Sequence, residues 1–438
     1  MTVYLLCYAA AYLFAKSGHY YLSGIGLMAA AIYLYYKDYK KSGNILHLRG
    51  LFALSWVGGQ GIACLKLSKL STEWTLTTWL CFLLAFTVFW LVFEQLSRYM
   101  GDVNRNDRRR KDFRSLESSV FLCVCGITII SFGCFLIEAM VLGYVPLLLR
   151  GVPHAYSYFH LRGIHYLTVS CVLVPALSVI WFCSNCGRDR GKNGVMLLMD
   201  IIALMVPILC VSRFQLIMAV ILAILTYILM DHRVQFRYVA GAILALVPLY
   251  LILTVARSHD VTYLNGIFEM KNSHTPIFIT QPYMYVANNY DNFNCLVEGL
   301  SSHSWGLKMA APLWTFSGLK FVFPVLTDFP LFITKEELTT LTMFYDAYYD
   351  FGIVGVFGFS AIAGAVSYAL MRMMKELRNP IGYVFYAQFA MYLLLSFFTT
   401  WFSNPTTWFY FAVTAVLAFV IDRKWGDRGW RSTRRGYR

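Results

Sequence analysis

Residues 75–96 read TLTTWLCFLLAFTVFWLVFEQL, and this stretch decides the fold. It carries no charged side chain before Glu94, and its length as a helix is enough to cross the roughly 30 Å hydrocarbon core of a bilayer. In lipid the backbone polar groups must be satisfied within the segment, which favours a helix over any open strand. The stretch therefore predicts a transmembrane helix.

Similar apolar stretches recur along the whole chain of 438 residues, of which 58% are hydrophobic and only 14% charged. This composition, with a mean hydropathy of +0.57, excludes a soluble globular domain. It predicts an all-α, polytopic integral membrane protein with about twelve transmembrane helices. The stretches lie near residues 3–15, 19–36, 49–66, 75–96, 117–142, 164–183, 195–211, 214–230, 238–256, 349–372, 381–399 and 406–421.

Lysine and arginine cluster in residues 37–49, 98–114, 188–192, 233–237, 372–378 and 423–438. With twelve helices all these segments fall on one side of the membrane, and the positive-inside rule assigns that side to the cytoplasm. Both chain termini are then cytoplasmic. Most of the net charge of +14 comes from these segments, so the charge does not indicate nucleic-acid binding.

The longest connection, residues 257–348, is polar and aromatic and lies on the opposite, extracytoplasmic side. Nine predicted helices precede it in residues 1–256, which include a smaller outer segment at 143–163. Helices 10–12 follow in residues 349–421, and a basic tail in 422–438. Since no cytoplasmic loop is long enough to fold as a nucleotide-sugar-binding domain, we expect the chemistry on the outer side.

Four arginines lie on this outer side, where the same rule makes them uncommon: Arg150, Arg162, Arg213 and Arg257. Snorkelling to lipid phosphates explains any one of them. Several guanidinium groups together predict binding of a phosphorylated substrate, because guanidinium grips phosphate oxygens in pairs. Arg213 lies in the short turn VSR, where burial is expected and an unpaired cation would cost about 3 kcal/mol. The turn therefore favours a binding role for Arg213.

Aromatic and amide side chains are dense in QPYMYVANNYDNFNCLVEGL (281–300). Rings stack on the C–H faces of sugars while amides bind hydroxyl groups, so the segment predicts a sugar site. Tyrosines gathered at a membrane interface are the alternative. The candidate sugar ligands, including three tyrosines of the segment that follows, are Tyr283, Tyr285, Tyr290, Asn292, Asn294, Tyr345, Tyr348 and Tyr349.

The stretch LTMFYDAYYDFGIVGVFGF (341–359) closes the long connection. With the segment before it, it supplies carboxylates that could act as a catalytic base, in descending order Asp350, Asp346, Asp291 and Glu298. A helix N-cap is the alternative for Asp350. Three glycines at a spacing of three predict close helix packing: Gly352, Gly355 and Gly358. Within the spans, Glu138 in the outer third of the fifth helix could face a cavity.

The order of these elements resembles the oligosaccharide repeat unit polymerases, the Wzy family that builds O-antigen and capsular polysaccharide in bacteria. The matching elements are the Pro-Leu segment YVPLLLRG, Ser212 with Arg213, Arg257, and TMFYDAYYDFGIVG at 342–355. The similarity spans roughly residues 140–400, and the closing motif is its most specific part. Two positions depart from the family pattern: the Gly-x-Pro element is one residue longer at Gly143 to Pro146, and Thr339 stands where Asn is expected.

The resemblance implies glycosyl transfer on the outer face of the bacterial plasma membrane. A hydroxyl of one undecaprenyl-diphosphate-linked oligosaccharide attacks a chain on a second such lipid, and undecaprenyl diphosphate leaves. The arginines would hold the diphosphate and a carboxylate would serve as base, with no cofactor and no metal. A chain-length regulator protein is the partner that the family implies, beside the lipid bilayer itself.

Two alternatives remain open from the sequence. An O-antigen ligase-type transferase also has about twelve spans and a large outer loop, but a His-Asn pattern in that loop is expected of it and is not found here. A polysaccharide or lipid-linked sugar transporter fits the number of spans, although it would not need a long structured loop.

Overall fold

The computed structural model describes residues 1–103, 113–149, 155–185, 189–230, 241, 266–272 and 274–435. The regular elements in these ranges are helices, and Ser68 and Met270 form an isolated antiparallel bridge. The all-α prediction is confirmed for this part of the chain. In order, the helices are α1 (Thr2–Lys16), α2 (Tyr20–Ser42), α3 (Leu48–Phe52), α4 (Gly58–Cys64), α5 (Leu76–Met100), α6 (Glu117–Leu142), α7 (Ala155–Tyr158), α8 (Ile164–Val169), α9 (Val174–Asn185), α10 (Arg190–Leu209), α11 (Arg213–Met230), α12 (Ile277–Gly299), α13 (Ala311–Phe316), α14 (Leu319–Val322), α15 (Tyr345–Lys375), α16 (Ile381–Leu394) and α17 (Pro405–Arg435).

Among the described residues, seven helices are long and apolar enough to cross a membrane, and each matches a predicted span. They are Leu76–Met100, Glu117–Leu142, Ile164–Ser184, Arg190–Leu209, Arg213–Met230, Tyr345–Lys375 and Pro405–Asp422. Helices α1 and α16 are shorter apolar helices. The second and third predicted spans are helical but are not among the seven, and the ninth, 238–256, lies outside the described residues. Twelve spans therefore stay a prediction.

Large apolar side chains cover the outward faces of the helices. Leu6 in α1 is 68% exposed, Ile129 in α6 66% and Val354 in α15 75%. Some polar side chains lie inside the protein instead: Gln60 in α4 and Glu138 in α6 are fully buried. A surface of this kind suits lipid and not water. The helices thus indicate a membrane-embedded protein.

The chain folds as two compact units. The first comprises Met1–Asp107, Val261–Lys375 and Tyr392–Trp408, and the second Arg108–Asp260, Glu376–Met391 and Phe409–Arg438. In the first unit α5 packs along α15, where a Cβ on Gly364 would lie 2.6 Å from the carbonyl oxygen of Phe89. Only glycine permits so close an approach of two helix backbones.

Basic and acidic side chains meet at one end of the first unit. Arg49 donates to the Asp38 carboxylate at 2.5 and 2.9 Å and to Glu94 at 2.7 Å, and Tyr368 donates to the Gly101 carbonyl at 3.1 Å. Asp38 and Arg49 lie in the basic segment 37–49, and Gly101 lies in the basic segment 98–114. Glu94 and Tyr368 lie at the ends of the predicted spans that adjoin the basic segments 98–114 and 372–378. Their meeting agrees with the predicted alternation of α2, α5 and α15 across the membrane. Which end faces the cytoplasm stays a prediction from the positive-inside rule.

The second unit is built around α6, which packs against α8, α9 and α10, while α11 packs on α9. A 3₁₀ turn, Ser170–Leu173, joins α8 to α9, and a π-helical turn, Ala53–Val57, joins α3 to α4 in the first unit. The backbone stays in the right-handed helical conformation at both ends of each turn, so each pair forms one continuous helical segment.

The long connection between the ninth and tenth predicted spans contains a buried helix, which the sequence did not predict. Helix α12 has 23 residues, and residues 287–294 are buried on all sides of the helix. The tenth predicted helix also begins earlier than expected, at Tyr345. Its backbone leaves the helical conformation at Gly352, with φ 59° and ψ −141°.

Two of the three glycines of the closing motif, Gly352 and Gly355, make close contacts at this break. The prediction that all three pack against another helix is wrong. A Cβ on Gly352 would lie 3.0 Å from Nε2 of His303, and one on Gly355 would lie 1.9 Å from the Ala347 carbonyl oxygen of the same helix. Gly358 has no neighbour within 4 Å of that position. The close contacts are thus made across the break.

Replacing Gly352 with alanine is expected to destabilise the protein by about 1–2 kcal/mol, because a side chain is disfavoured at positive φ. Gly358→Ala is the matched control, since its Cβ meets open space. We expect it to change stability by less than about 0.5 kcal/mol. Thermal unfolding of the two variants in detergent compares them, and equal unfolding temperatures would show that the break does not constrain residue 352.

Candidate functional site

Helix α12, in the first unit, carries a run of buried polar side chains. Each of residues 288–294, NNYDNFN, is at most 2% exposed. Amides and carboxylates are rarely buried unless they are hydrogen-bonded. The partners of these side chains therefore decide whether they are structural or available to a ligand.

The Asn292 and Asn294 amides bind protein groups on both their nitrogen and oxygen atoms. Asn292 donates to the carbonyls of Leu338 at 2.8 Å and Thr340 at 2.9 Å, and its oxygen accepts from the Thr334 N–H at 2.8 Å. The Asn294 oxygen accepts from the Thr75 N–H at 3.0 Å and the Thr78 hydroxyl at 2.7 Å. These bonds hold α12 to the chain before α15 and to the start of α5, so the geometry does not support either amide as a sugar ligand.

Most of the candidate tyrosines are also buried. The Tyr290 hydroxyl donates to the Trp56 carbonyl at 2.9 Å, and the Tyr283 hydroxyl accepts from the Leu67 N–H at 2.8 Å. Burial raises the pKa of both hydroxyls, which keeps them neutral. The Tyr345 hydroxyl bonds to the backbone of Phe332.

Tyr348 and Tyr349 are 8% and 4% exposed, and Tyr285 alone among the eight sugar candidates is half-buried. Packing consumes the ring faces that a sugar would need. The predicted sugar site is therefore reduced to Tyr285, whose ring lies against Phe398.

Asp291 on α12 is the counterion of a buried lysine. Its Oδ1 lies 2.6 Å from Nζ of Lys66 and accepts from the Trp74 indole at 2.7 Å. The Lys66 side chain is 8% exposed and that of Asp291 2%, and the ammonium lies 4.3 Å from the Trp74 ring centroid. Because this carboxylate already balances a buried cation, it is poorly suited to act as a base.

A small recess opens beside this ion pair, lined among others by Lys16, Tyr20, Lys66, Glu73, Trp74 and Trp79. Its enclosed space is about 20 Å³, room for about one water molecule. The Tyr20 hydroxyl donates to the Glu73 carboxylate at 3.0 Å across it. A recess of this volume is too small to enclose a sugar ring.

Asp350, the first-ranked base from the sequence, is an anchor for the segment before α13. It is fully buried, and its two oxygens accept from the N–H groups of Lys308 at 3.1 Å and Met309 at 2.7 Å and from the Ser304 hydroxyl. It also lies five residues inside α15, so it is not the N-cap of that helix. With both oxygens bonded, Asp350 has little capacity to take a proton from a substrate.

Asp346 is the buried carboxylate of the closing motif that keeps an unbonded oxygen. The Ser403 hydroxyl donates to Oδ2, while Oδ1 makes no hydrogen bond and lies 3.4 Å from Nζ of Lys308. That ammonium lies 4.1 Å from the Tyr349 ring centroid. The charged atoms of Asp346 and Lys308 are closed to solvent. Glu298, the last of the four carboxylates predicted as a base, is exposed at the end of α12.

In the second unit the structure brings together two elements on which the family resemblance rests. Leu147, in the 3₁₀ turn Pro146–Leu148, packs against the buried cluster of Val211 and Leu216, two residues that flank Ser212 and Arg213 in the chain. Val211 has φ 55°, an unfavourable conformation for a β-branched residue, and the Ser212 N–H donates to the Pro207 carbonyl at 2.8 Å. The turn places Arg213, 8% exposed, as the first residue of α11.

The other candidate arginines are less defined by the structure. Arg162 is exposed, and Arg150 and Arg257 lie outside the described residues. Near Arg162, the fully buried Glu138 accepts from the Leu161 N–H at 2.9 Å, and its two oxygens lie 3.1 and 3.2 Å from Nδ1 of His165. Across the described residues, no group of three or more His, Cys, Asp or Glu side chains is arranged to hold a metal ion.

Comparison of this chain with family models, with curated proteins and with solved structures found no match.

The sequence did not indicate the partners of Asp291, Asp346 and Glu138. These partners are Lys66, Lys308 and His165. The lysines lie on the predicted outer side, where basic residues are uncommon, so the rule that singled out the arginines also applies to them. His165 begins a predicted span, and no sequence pattern links it to Glu138, 27 residues earlier.

Proposed function

We propose that this chain polymerises undecaprenyl-diphosphate-linked oligosaccharide repeat units into surface polysaccharide, either O-antigen or capsule. The observation that carries the proposal is the packing of Leu147 against the cluster of Val211 and Leu216, which flanks Arg213 at the start of α11. These elements lie more than 60 residues apart in the chain and are two of the four that resemble the polymerase family. A shared position at the predicted outer end of the second unit is what a common substrate site requires.

In this reaction the leaving group is a diphosphate, whose negative charge develops as the sugar bond breaks. Arg213 is suited to stabilise it, because guanidinium forms paired, charge-assisted bonds to phosphate oxygens. Such preorganised charges contribute roughly 10²–10³ in rate when the site excludes water. Arg257, Arg150 and Arg162 are the further arginines proposed for this role.

The location and partners follow from the same proposal. The enzyme lies in the bacterial plasma membrane with both termini in the cytoplasm and the reaction on the outer face. The substrates reach it through the bilayer as lipid-linked sugars, and a chain-length regulator protein is the expected partner.

Deletion of the gene, followed by gel analysis of surface polysaccharide, tests the proposal and separates it from its rivals. A polymerase mutant retains single repeat units on the surface acceptor and loses all longer chains. Loss of every repeat unit from the acceptor would favour a ligase, and build-up of lipid-linked units on the cytoplasmic face would favour a transporter.

A further inference from the structure

We propose that His165 is the catalytic base of this polymerisation and that Glu138 is the residue that positions it. The inference rests on the proposed function. It replaces the carboxylate bases expected from the sequence with a histidine and carboxylate pair in the second unit.

The Glu138 carboxylate holds the His165 ring through one of its two nitrogens, Nδ1. Both Glu138 oxygens face Nδ1 of His165, at 3.1 and 3.2 Å, and the Leu161 N–H donates to Oε1 at 2.9 Å. An ionised carboxylate only accepts hydrogen bonds, so Nδ1 carries the proton. Nε2 then holds a lone pair and can accept a proton from a substrate, the arrangement by which a carboxylate prepares histidine in hydrolases.

A positioning carboxylate should be buried and a catalytic base should be reachable by substrate, and Glu138 and His165 differ in this way. The Glu138 side chain is 0% exposed and that of His165 31%. A carboxylate within a transmembrane helix costs about 2.5–3.5 kcal/mol, so its presence calls for a partner and a purpose. Glu138 lies near the C-terminal end of α6, where it contacts Leu161 and His165 at the start of α8.

The pair lies in the same unit as the proposed diphosphate ligand. Helix α6, which carries Glu138, packs against α10, and the C-cap residue of α10, Cys210, lies three residues before Arg213. Among the rival bases, Asp350 has both oxygens bonded and Asp291 neutralises Lys66. Asp346 is closed to solvent, and Glu298 is exposed at the end of α12 in the first unit. His165 is partly exposed, and Glu138 contacts only its Nδ1, not Nε2.

The proposed step forms one C–O bond and breaks another. The acceptor hydroxyl gives its proton to Nε2 of His165, and its oxygen forms a bond to the anomeric carbon of the growing chain. The bond from that carbon to the diphosphate oxygen breaks, and its electron pair leaves with undecaprenyl diphosphate. The imidazolium then returns its proton to water.

The test uses the purified full-length protein in detergent with undecaprenyl-diphosphate-linked repeat units, and it measures chain extension. His165→Ala is expected to lower kcat by about 10²–10⁴-fold with KM little changed. Imidazole added to the buffer should restore part of the activity of His165→Ala, which no purely structural role of the side chain explains.

Two further variants keep the test decisive if His165→Ala folds poorly. His165→Asn retains an N–H donor toward Glu138 but has no basic nitrogen, so it should unfold at the wild-type temperature and remain inactive. Glu138→Gln should lower kcat, and combining it with His165→Asn should add little further loss. His160→Ala is the control, since His160 is exposed and its ring lies 6.3 Å from that of His165.

The outcomes separate this inference from the proposed function. Extension by wild type together with unchanged kcat in the folded His165→Asn variant would overturn the role of His165 and leave the polymerase proposal intact. Failure of the wild type to extend any chain would overturn both.

Discussion

Arg213→Ala is expected to reduce polysaccharide chain extension by at least about 10²-fold while the protein remains folded and inserted. Arg213 opens α11 after a strained, packed turn, which fixes its position at the predicted outer end of the second unit. Alanine removes the charge that would balance the leaving diphosphate. Surface polysaccharide on a gel, with the protein level in membranes measured in parallel, gives the result.

Two variants frame this prediction. Arg213→Lys keeps the charge but not the paired geometry, so we expect intermediate activity. Arg190→Ala is the matched control, because Arg190 is likewise the first residue of a spanning helix, α10, but is exposed and lies at the opposite, predicted cytoplasmic end. Normal chain length in Arg213→Ala would exclude Arg213 from the phosphate site. Arg257→Ala should behave like Arg213→Ala, a prediction made from the sequence alone.

Asp291→Ala is expected to destabilise the first unit by about 3–5 kcal/mol, because it leaves the buried Lys66 ammonium without its counterion. The Trp74 indole would lose its hydrogen-bond acceptor at the same time. Loss of protein from the membrane fraction and a lower unfolding temperature in detergent are the measurable effects.

A second ion pair in the same unit provides the comparison. Lys335 and Glu269 lie 2.7 Å apart, but their side chains are 25% and 41% exposed, so Glu269→Ala should cost less than about 1 kcal/mol. Replacing both buried partners, as Lys66→Met with Asp291→Leu, should recover much of the lost stability. If Asp291→Ala unfolds at the same temperature as Glu269→Ala, the Lys66 pair does not hold α12 in place.

The spanning helices could be predicted because lipid imposes one simple requirement on every segment that crosses it. Long apolar stretches such as 75–96 and 117–142 satisfy that requirement by composition alone, and the structure has helices at both. Helix α12 could not be predicted in this way. Pro282 stands inside it, and its buried residues include Asn and Asp whose partners, such as Thr75 and Leu338, lie far away in the chain.

The candidate site was predicted less completely than the fold. Residue type marked Asp350 and Asn292 as chemically useful, but only their contacts show that backbone groups already occupy them. The same contacts disclose the pairing of His165 with Glu138, which no spacing rule connects. By contrast, Arg213 was singled out correctly as buried, since a two-residue turn between two apolar spans leaves a side chain little access to water.

The most direct measurement is chain extension by the purified protein reconstituted in liposomes with undecaprenyl-diphosphate-linked repeat units on both faces. The proposed function predicts a ladder of longer oligosaccharides and one free undecaprenyl diphosphate for each repeat unit added. Movement of repeat units across the bilayer without any increase in their length, or no reaction at all, would contradict it.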